Sequence, residues 1–230
     1  MPKQPAEVEF PESFGYDRCL RVETVAGVAY ELVMLRDFEA TVTELCDRVI
    51  AGADRRWFEE LCPMFGVIWP AARALADTVA RDRPAGLKVL ELGCGLGLPS
   101  LVAARCGAQV IATDQHPHAR GFLLENQRRN GVEVQFEALD WRGPAPPGVV
   151  ERGFDRVLAS DVAYAADMPE KVAAAFDRFL APTGRGWLTD PGRPWLDRFA
   201  DEARARGMTV EVDVRGDTRA DEVFVLTLAR

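Results

Sequence analysis

The chain has 230 residues, of which 48% are hydrophobic, and 28 Lys and Arg against 36 Asp and Glu give it a net charge of −8. This length and apolar content predict one large domain, or a domain with a small extension. The acidic balance argues against broad nucleic-acid binding, which needs basic surface. No apolar run approaches the roughly 18 residues of a transmembrane helix, so we expect neither nucleic acid nor a membrane as a partner.

The N-terminal 65 residues are interpreted as an extension that precedes the main domain at 66–230. Met1 to Glu12 is expected to be a loose tail, and it is typical of neither a signal peptide nor a presequence. Two strand-like runs around Ala26-Gly27 predict a hairpin; they are Cys19 to Thr24 and Val28 to Leu35. Asp37 begins a helix that ends at Gly52, and Trp57 to Gly66 is a connector. The apolar face of that helix is formed by Phe38, Val42, Leu45 and Val49.

Helices and strands alternate from Pro70 onwards, where a helix runs through Arg83. Strands are predicted at Lys88 to Leu92, Gln109 to Thr113, Val132 to Phe136, Phe154 to Ser160, Gly186 to Thr189, Met208 to Val214 and Val223 to Leu228. The helices between them are predicted at Leu101 to Cys106, from after Asp114 to Asn130, from Asp167 to Ala181 with an acid cap, and at Trp195 to Arg206. Such alternation predicts an α/β fold with a parallel, doubly wound sheet and helices on both faces. The last two strands are linked too tightly for a crossover helix, so one of the seven strands is antiparallel.

The turn after the Lys88 strand contains Gly93, Gly95 and Gly97, and glycine lets a backbone approach a ligand closely. A dinucleotide site requires Gly-x-Gly-x-x-Gly, but here the third glycine comes one place early and Leu98 holds its position. The strand also ends in an acid, Glu91, two residues before the first glycine. This spacing favours S-adenosylmethionine (SAM), whose methionine ammonium a carboxylate can help hold, with S-adenosylhomocysteine (SAH) as the product.

Polar residues follow the other strands at the same edge, where open α/β sheets bind ligands. Asp114 is placed to accept the ribose hydroxyls. Trp141 offers a face to adenine and Asp140 accepts from the adenine amino group. Ser160 lies at the end of the next strand and joins them in the predicted cofactor site.

Asp161 and Tyr164 are predicted to hold the amine that accepts the methyl group, because an acid and an aromatic ring can bind an amine. Val162-Ala163 stands where enzymes acting on adenine or glutamine carry Pro-Pro, which makes those acceptors less favoured. No metal is expected, since a sulfonium is already activated and the enzyme mainly positions the reactants. His116 and His118 are interpreted as part of a solvated loop rather than as metal ligands.

Four segments together resemble the methyltransferase-16 family of seven-β-strand, class I protein methyltransferases. They are Trp69-Pro70-Ala71-Ala72, the turn from Glu91 to Gly97, Leu139-Asp140-Trp141 and Ala159 to Tyr164. The resemblance implies a Rossmann-like methyltransferase sheet and methylation of lysine in a protein. It also implies that Trp69 lies against the cofactor, and that Asp161 and Tyr164 match the family's acid-x-x-Tyr/Phe hallmark. One more segment, Asp190-Pro191-Gly192-Arg193-Pro194, looks like the loop after the fifth strand in the family's flavoprotein-directed branch.

The leading interpretation is therefore a SAM-dependent N-methyltransferase acting on protein lysine. A small-molecule amine as acceptor, a nicotinamide-dependent oxidoreductase and an inactive SAM-binding module are the alternatives. Five scattered cysteines without a Cys-x-x-Cys pair predict a reducing, cytoplasmic setting. The oligomeric state is left open.

Overall fold

The computed structural model describes residues 15–48, 62–141, 143–216, 218 and 221–230. The tail expected at Met1 to Glu12, the helix end at Val49 and Gly52, and the first part of the connector after Trp57 lie outside these residues. The predicted division between residues 65 and 66 stays a prediction.

Two sheets form the β structure of the described residues. A two-stranded antiparallel hairpin pairs β1 with β2, and a seven-stranded sheet has the order β5-β4-β3-β6-β7-β9-β8. In that sheet β9 runs antiparallel to both of its neighbours, and the other pairings are parallel. The strands are β1 (Arg18–Val25), β2 (Val28–Leu35), β3 (Lys88–Leu92), β4 (Gln109–Asp114), β5 (Gln135–Ala138), β6 (Phe154–Ser160), β7 (Leu180–Asp190), β8 (Thr209–Arg215) and β9 (Val223–Ala229). The predicted class I sheet with one antiparallel strand is confirmed.

Helices cover both faces of the large sheet. The helices are α1 (Phe38–Arg48), α2 (Pro70–Asp82), α3 (Leu98–Arg105), α4 (Ala119–Asn130), α5 (Met168–Phe179) and α6 (Leu196–Ala205). Leu90 and Leu92 of β3 face the core formed with α5 and α6, whereas Val89 faces the core formed with α2, α3 and α4. Central parallel strands are buried on both faces, which is why they read as continuous apolar runs. Within the described ranges, no helix is long and apolar enough to cross a membrane.

Several element boundaries differ from the sequence prediction. The third core strand begins at Gln135 instead of Val132, and Val134 is buried just before it. Helix α5 ends at Phe179, and β7 begins at once with Leu180. The predicted acid cap on α5 is wrong, because no side-chain cap bond forms at Asp167; its carboxylate pairs instead with Lys171, one turn along the helix.

The hairpin is attached to the large domain by two asparagines on α4. The side chain of Asn126 accepts the N–H of Val33 at 2.7 Å and donates to the Val33 carbonyl at 3.3 Å. One turn later, Asn130 does the same for Glu31, with distances of 3.1 and 2.7 Å. The edge of β2 that faces away from β1 is therefore hydrogen-bonded by a helix.

Candidate functional site

Most of the predicted site residues lie at or just beyond the carboxyl ends of β3, β4, β5 and β6, whereas Trp69 precedes α2. The glycine turn after β3 lies at the centre of this edge. Gly93 and Gly95 have φ of +66° and +52°, in the left-handed region where L side chains are strained. A Cβ at Gly95 would lie 3.0 Å from the carbonyl oxygen of Phe65, and one at Gly93 would lie 3.0 Å from Val162 Cγ1 and 3.6 Å from Trp141 Cζ2. The turn is therefore packed between the Phe65 segment and the loops after β5 and β6.

Glu91 is completely buried beneath this turn. Its Oε2 accepts the backbone N–H of Ser100 at 3.0 Å and also the Ser100 hydroxyl, so the carboxylate is bound to the first turn of α3. Burial raises the pKa of Glu91 to about 8, although the two bonds from Ser100 oppose the shift. Its Oε1 is buried with no hydrogen-bond partner among the described residues. A buried acceptor without a donor is costly, and a ligand ammonium would satisfy it.

Asp114 ends β4 and is almost as deeply buried. Its Oδ2 accepts the N–H of Gly95 at 2.9 Å, and its Oδ1 accepts the N–H of His116 at 2.8 Å. Burial raises the pKa of Asp114, and these backbone bonds oppose the shift. These backbone bonds, with a third from Gln115, fix the carboxylate in direction. A carboxylate has about four lone-pair sites, so Asp114 can still accept a hydroxyl group.

The two predicted tryptophans occupy different parts of the edge. Trp141 is half-buried, and the edge of its ring lies against Gly93. Trp69 precedes α2; its Nε1 donates to the Met64 carbonyl at 3.0 Å, and its ring meets Phe38 edge-on at 5.8 Å between centroids. Both rings are partly accessible and therefore available to a ligand.

The remaining predicted cofactor residues lie at or beyond the ends of their strands. Asp140 is exposed, two residues beyond the end of β5, and Ser160 is half-buried at the end of β6, paired with Thr189. Neither side chain is sealed from a ligand.

The expectation of a solvated histidine loop is wrong. His116 is only 5% exposed and packs on Phe65 with 4.3 Å between ring centroids. His118 Nδ1 lies 2.8 Å from the Tyr16 hydroxyl, and burial lowers the pKa of His118. The histidines thus belong to an aromatic cluster with Tyr16, Phe65 and Phe122. The cluster adjoins the glycine turn because Phe65 packs on Gly95.

Asp161 follows β6 in a left-handed conformation, with φ of +61°. Its backbone N–H donates to the Thr189 carbonyl at 2.9 Å, and its carboxylate pairs with Arg193. Burial raises the pKa of Asp161, and Arg193 opposes that shift. Arg193 also pairs with the fully buried Asp190 at 2.9 Å. The sequence analysis noted the loop from Asp190 to Pro194 but did not assign Arg193 to the site. The signals were that loop and a basic residue three places after a strand-end acid.

Tyr164 lies three residues beyond Asp161 and is 50% exposed. Between them, Val162 packs on Gly93. The acid-x-x-Tyr segment is therefore in contact with the glycine turn, and Tyr164 stands at the rim of the same edge.

Comparison with known proteins agrees with this architecture. The methyltransferase-16 family model, described as lysine methyltransferase, matches residues 59–188. The 16S rRNA N2 G1207 methyltransferase RsmC of T. thermophilus, solved in complex with AdoMet and guanosine, superposes with a TM-score of 0.63 at 18% identity. The match covers 93% of this chain and 50% of that one. That likeness concerns the fold alone.

Two curated relatives share more sequence. Histone-arginine methyltransferase METTL23 of Xenopus laevis is 38% identical over 132 residues, 53% of this chain and 55% of that protein. Protein N-terminal and lysine N-methyltransferase EFM7 of Eremothecium gossypii is 36% identical over 179 residues, 65% of this chain and 66% of that protein. The chain spans about half the length of several curated relatives that it matches. The predictions of family, fold class and SAM as cofactor are confirmed.

Proposed function

Because the chain belongs to the methyltransferase-16 family, we propose that it is a SAM-dependent N-methyltransferase that modifies lysine in a protein substrate. The observation that carries the proposal is the glycine turn held between two buried acids. Asp114 bonds the turn from β4, and Glu91 lies beneath it with one oxygen unbonded. This arrangement suits a ligand that carries both a cation and hydroxyl groups.

The cofactor-binding roles follow from position and chemistry. Glu91 supplies a negative oxygen for the methionine ammonium, and Asp114 accepts the ribose hydroxyls. Trp141 lies against Gly93 and offers its ring to adenine, with Asp140 as acceptor for the adenine amino group. Ser160, at the end of β6, and Trp69, just before α2, are proposed to contact the cofactor as well.

Asp161 and Tyr164 are proposed to orient the acceptor amine. When bound, SAM supplies an activated methyl group; the amine lone pair forms the new C–N bond as the C–S bond breaks. The amine must first release its proton to solvent, and burial beside an aromatic ring lowers the pKa of a lysine. Asp161 then accepts a hydrogen bond from the amine, and the ring of Tyr164 faces the positive charge that develops on nitrogen.

The acceptor is proposed to be a protein because the surface is acidic and the net charge is −8. Such a surface attracts basic segments. The two relatives are named for different acceptors, histone arginine in one and lysine or the N-terminus in the other. A small amine stays the second candidate, since Tyr164 at the rim leaves room for a free ligand.

We place this activity in the cytoplasm. All five cysteines are free thiols, which fits a reducing compartment.

The test is methyl transfer from SAM labelled with tritium in its methyl group to heat-treated lysate protein. Acid hydrolysis then separates methyllysine, methylarginine and methylated N-terminal residues. We expect the label in methyllysine. Label in methylarginine, or in nicotinamide added as a small amine, would replace lysine as the acceptor. SAM binding in calorimetry without any transfer would favour an inactive binding module, and NAD binding in place of SAM would favour an oxidoreductase.

A further inference from the structure

Arg193 connects two acids that lie at the ends of neighbouring strands. Its Nη1 is 2.9 Å from Asp190 Oδ2 at the end of β7, and its Nη2 pairs with Asp161 Oδ1 beyond β6. The Asp161 side chain is 9% exposed, that of Asp190 0% and that of Arg193 29%. The pairings are therefore largely shielded from water and are weakened little by salt.

Asp190 holds Arg193 at two places. Its Oδ1 accepts the backbone N–H of Gly192 at 2.9 Å and that of Arg193 at 2.7 Å, while its Oδ2 pairs with the Arg193 guanidinium. The arginine is thus bound to one buried carboxylate through both backbone and side chain. A planar guanidinium fixed in this way presents its second nitrogen in a defined direction.

The second guanidinium nitrogen pairs with Asp161, the residue proposed to orient the acceptor amine. Asp161 directly precedes Val162, whose Cγ1 packs against Gly93 of the cofactor turn. The positive φ of Asp161 makes its backbone strained for a residue other than glycine. The Thr189 carbonyl holds this backbone through the Asp161 N–H, and the ion pair with Arg193 acts on the carboxylate itself.

We propose that Arg193 is a positioning residue for methyl transfer: anchored by Asp190, it holds the Asp161 carboxylate in the orientation that meets the acceptor amine. This inference rests on the proposed function and adds a residue to it. Arg193 itself contacts neither the methyl group nor the acceptor.

A competing role has the opposite sign. If Arg193 merely neutralised Asp161, its removal would leave a stronger negative charge beside the acceptor and increase attraction for a cation. If Arg193 positions Asp161, its removal lets the carboxylate turn away, and attraction for a cation at the methyl position falls. The two roles can therefore be separated by the direction of one measured change.

Sinefungin is the probe, because this SAM analogue carries an amine where SAM has its sulfonium methyl. Calorimetry gives the ratio of sinefungin affinity to SAH affinity without any methyl acceptor. We expect Arg193→Gln to lower this ratio by about tenfold, the size of one lost charge-assisted hydrogen bond, with SAH affinity preserved. Arg193→Lys, which can reach only one acid well, should fall between. Arg198→Gln is the control, since Arg198 holds the Ala166 carbonyl at 3.0 Å and touches neither acid.

Turnover supplies the second readout, measured on heat-treated lysate protein over a range of SAM concentrations that extends to saturation. Arg193→Gln should reduce the rate by about tenfold or more with the KM for SAM unchanged. In an Asp161→Asn background the same change should have almost no further effect, because Arg193 acts through Asp161.

A ratio that rises or stays constant in Arg193→Gln overturns the proposal, as does an undiminished effect in the Asp161→Asn background. If Arg193→Gln does not fold, Arg193→Lys decides by the same ratio. Sinefungin binding in a wild-type protein that methylates nothing would refute the proposed function while the affinity comparison still tests Arg193.

Discussion

Glu91 and Asp114 at the cofactor half of the sheet edge accept bonds from N–H and O–H groups, whereas Asp161 and Asp190 at the acceptor half share a guanidinium. Among the described residues, no ion pair joins Glu91 or Asp114 to a basic side chain, and burial raises the pKa of both. Arg193 partly compensates the burial of Asp161. The cofactor half is therefore electrostatically incomplete without a ligand, while the acceptor half is already paired. This difference suits a cationic cofactor on one side and a transiently bound amine on the other.

The strongest way to break the cofactor half is Gly95→Val. The position has a positive φ, and its Cβ would approach the Phe65 carbonyl at 3.0 Å, so the turn cannot keep its shape. We expect SAM binding to be lost in calorimetry. Gly121→Val is the matched control, because a Cβ there meets nothing within 4 Å. Normal SAM affinity in Gly95→Val would make Gly95 an ordinary turn residue.

Breaking the acceptor half should leave the cofactor half intact. Asp161→Ala is expected to slow methyl transfer by about 10²-fold, because alignment of the reacting pair is lost, with a much smaller change in SAM affinity. Rate and affinity are measured on the same preparation. Equal losses in both would assign Asp161 to cofactor binding or to folding.

Asp114→Asn sharpens the comparison on the cofactor side. Charge-assisted hydrogen bonds contribute about 1.5–3 kcal/mol, so SAM affinity should fall by about 10- to 100-fold. Asp155→Asn is the control: its Oδ2 accepts the Lys88 N–H at 2.9 Å, at the opposite end of β3. It should lower thermal stability at most. Equal SAM affinities in wild type and Asp114→Asn would contradict the ribose assignment.

The last prediction concerns the pH dependence of stability and leaves binding and rate aside. The folded pKa of Glu91, about 8, exceeds the ordinary value of 4.5, so the folded state holds this proton more tightly than the unfolded state. The stabilisation is full below the unfolded value and is lost as pH rises towards the folded value, with a slope of at most about 1.4 kcal/mol per pH unit.

Glu91→Gln has no such proton, so its free energy of unfolding relative to wild type should increase from pH 5 to pH 8. Denaturant titrations without cofactor measure this difference. A constant difference across that range would show that the Glu91 carboxyl ionises normally in the folded protein.

Much of the sheet edge follows from local sequence. Lys88–Leu92 is an apolar run ending in an acid, and the glycines after it mark the turn, so their common location was predictable. The start of β5 and the end of α5 were not predictable from local sequence. Val134 and Leu180 are buried apolar residues, and such residues occur both inside strands and next to them. Arg193 was not assigned to the site, although the loop that contains it was noted, because its contact with Asp161 spans 32 residues and only the fold brings the two together.

The docking of the hairpin was equally invisible in the sequence, since Asn126 and Asn130 lie about 95 residues from the strand they bind. Their spacing nevertheless has a geometric consequence. Four residues of α-helix rise about 6.0 Å, and two residues of strand span about 6.6–6.8 Å. The spacing of the two asparagines along the helix therefore matches the two-residue repeat of the β2 backbone.

This matched spacing limits insertions and deletions between Asn126 and Asn130. One residue added between Asn126 and Asn130 would turn the second amide by about 100° around the helix, away from Glu31. The hairpin would then present bare backbone groups to other chains, as open strand edges do. Length variation in this turn of α4 should thus be far less tolerated than substitution of its solvent-facing side chains. We expect aggregation to be the first measurable effect of such a change.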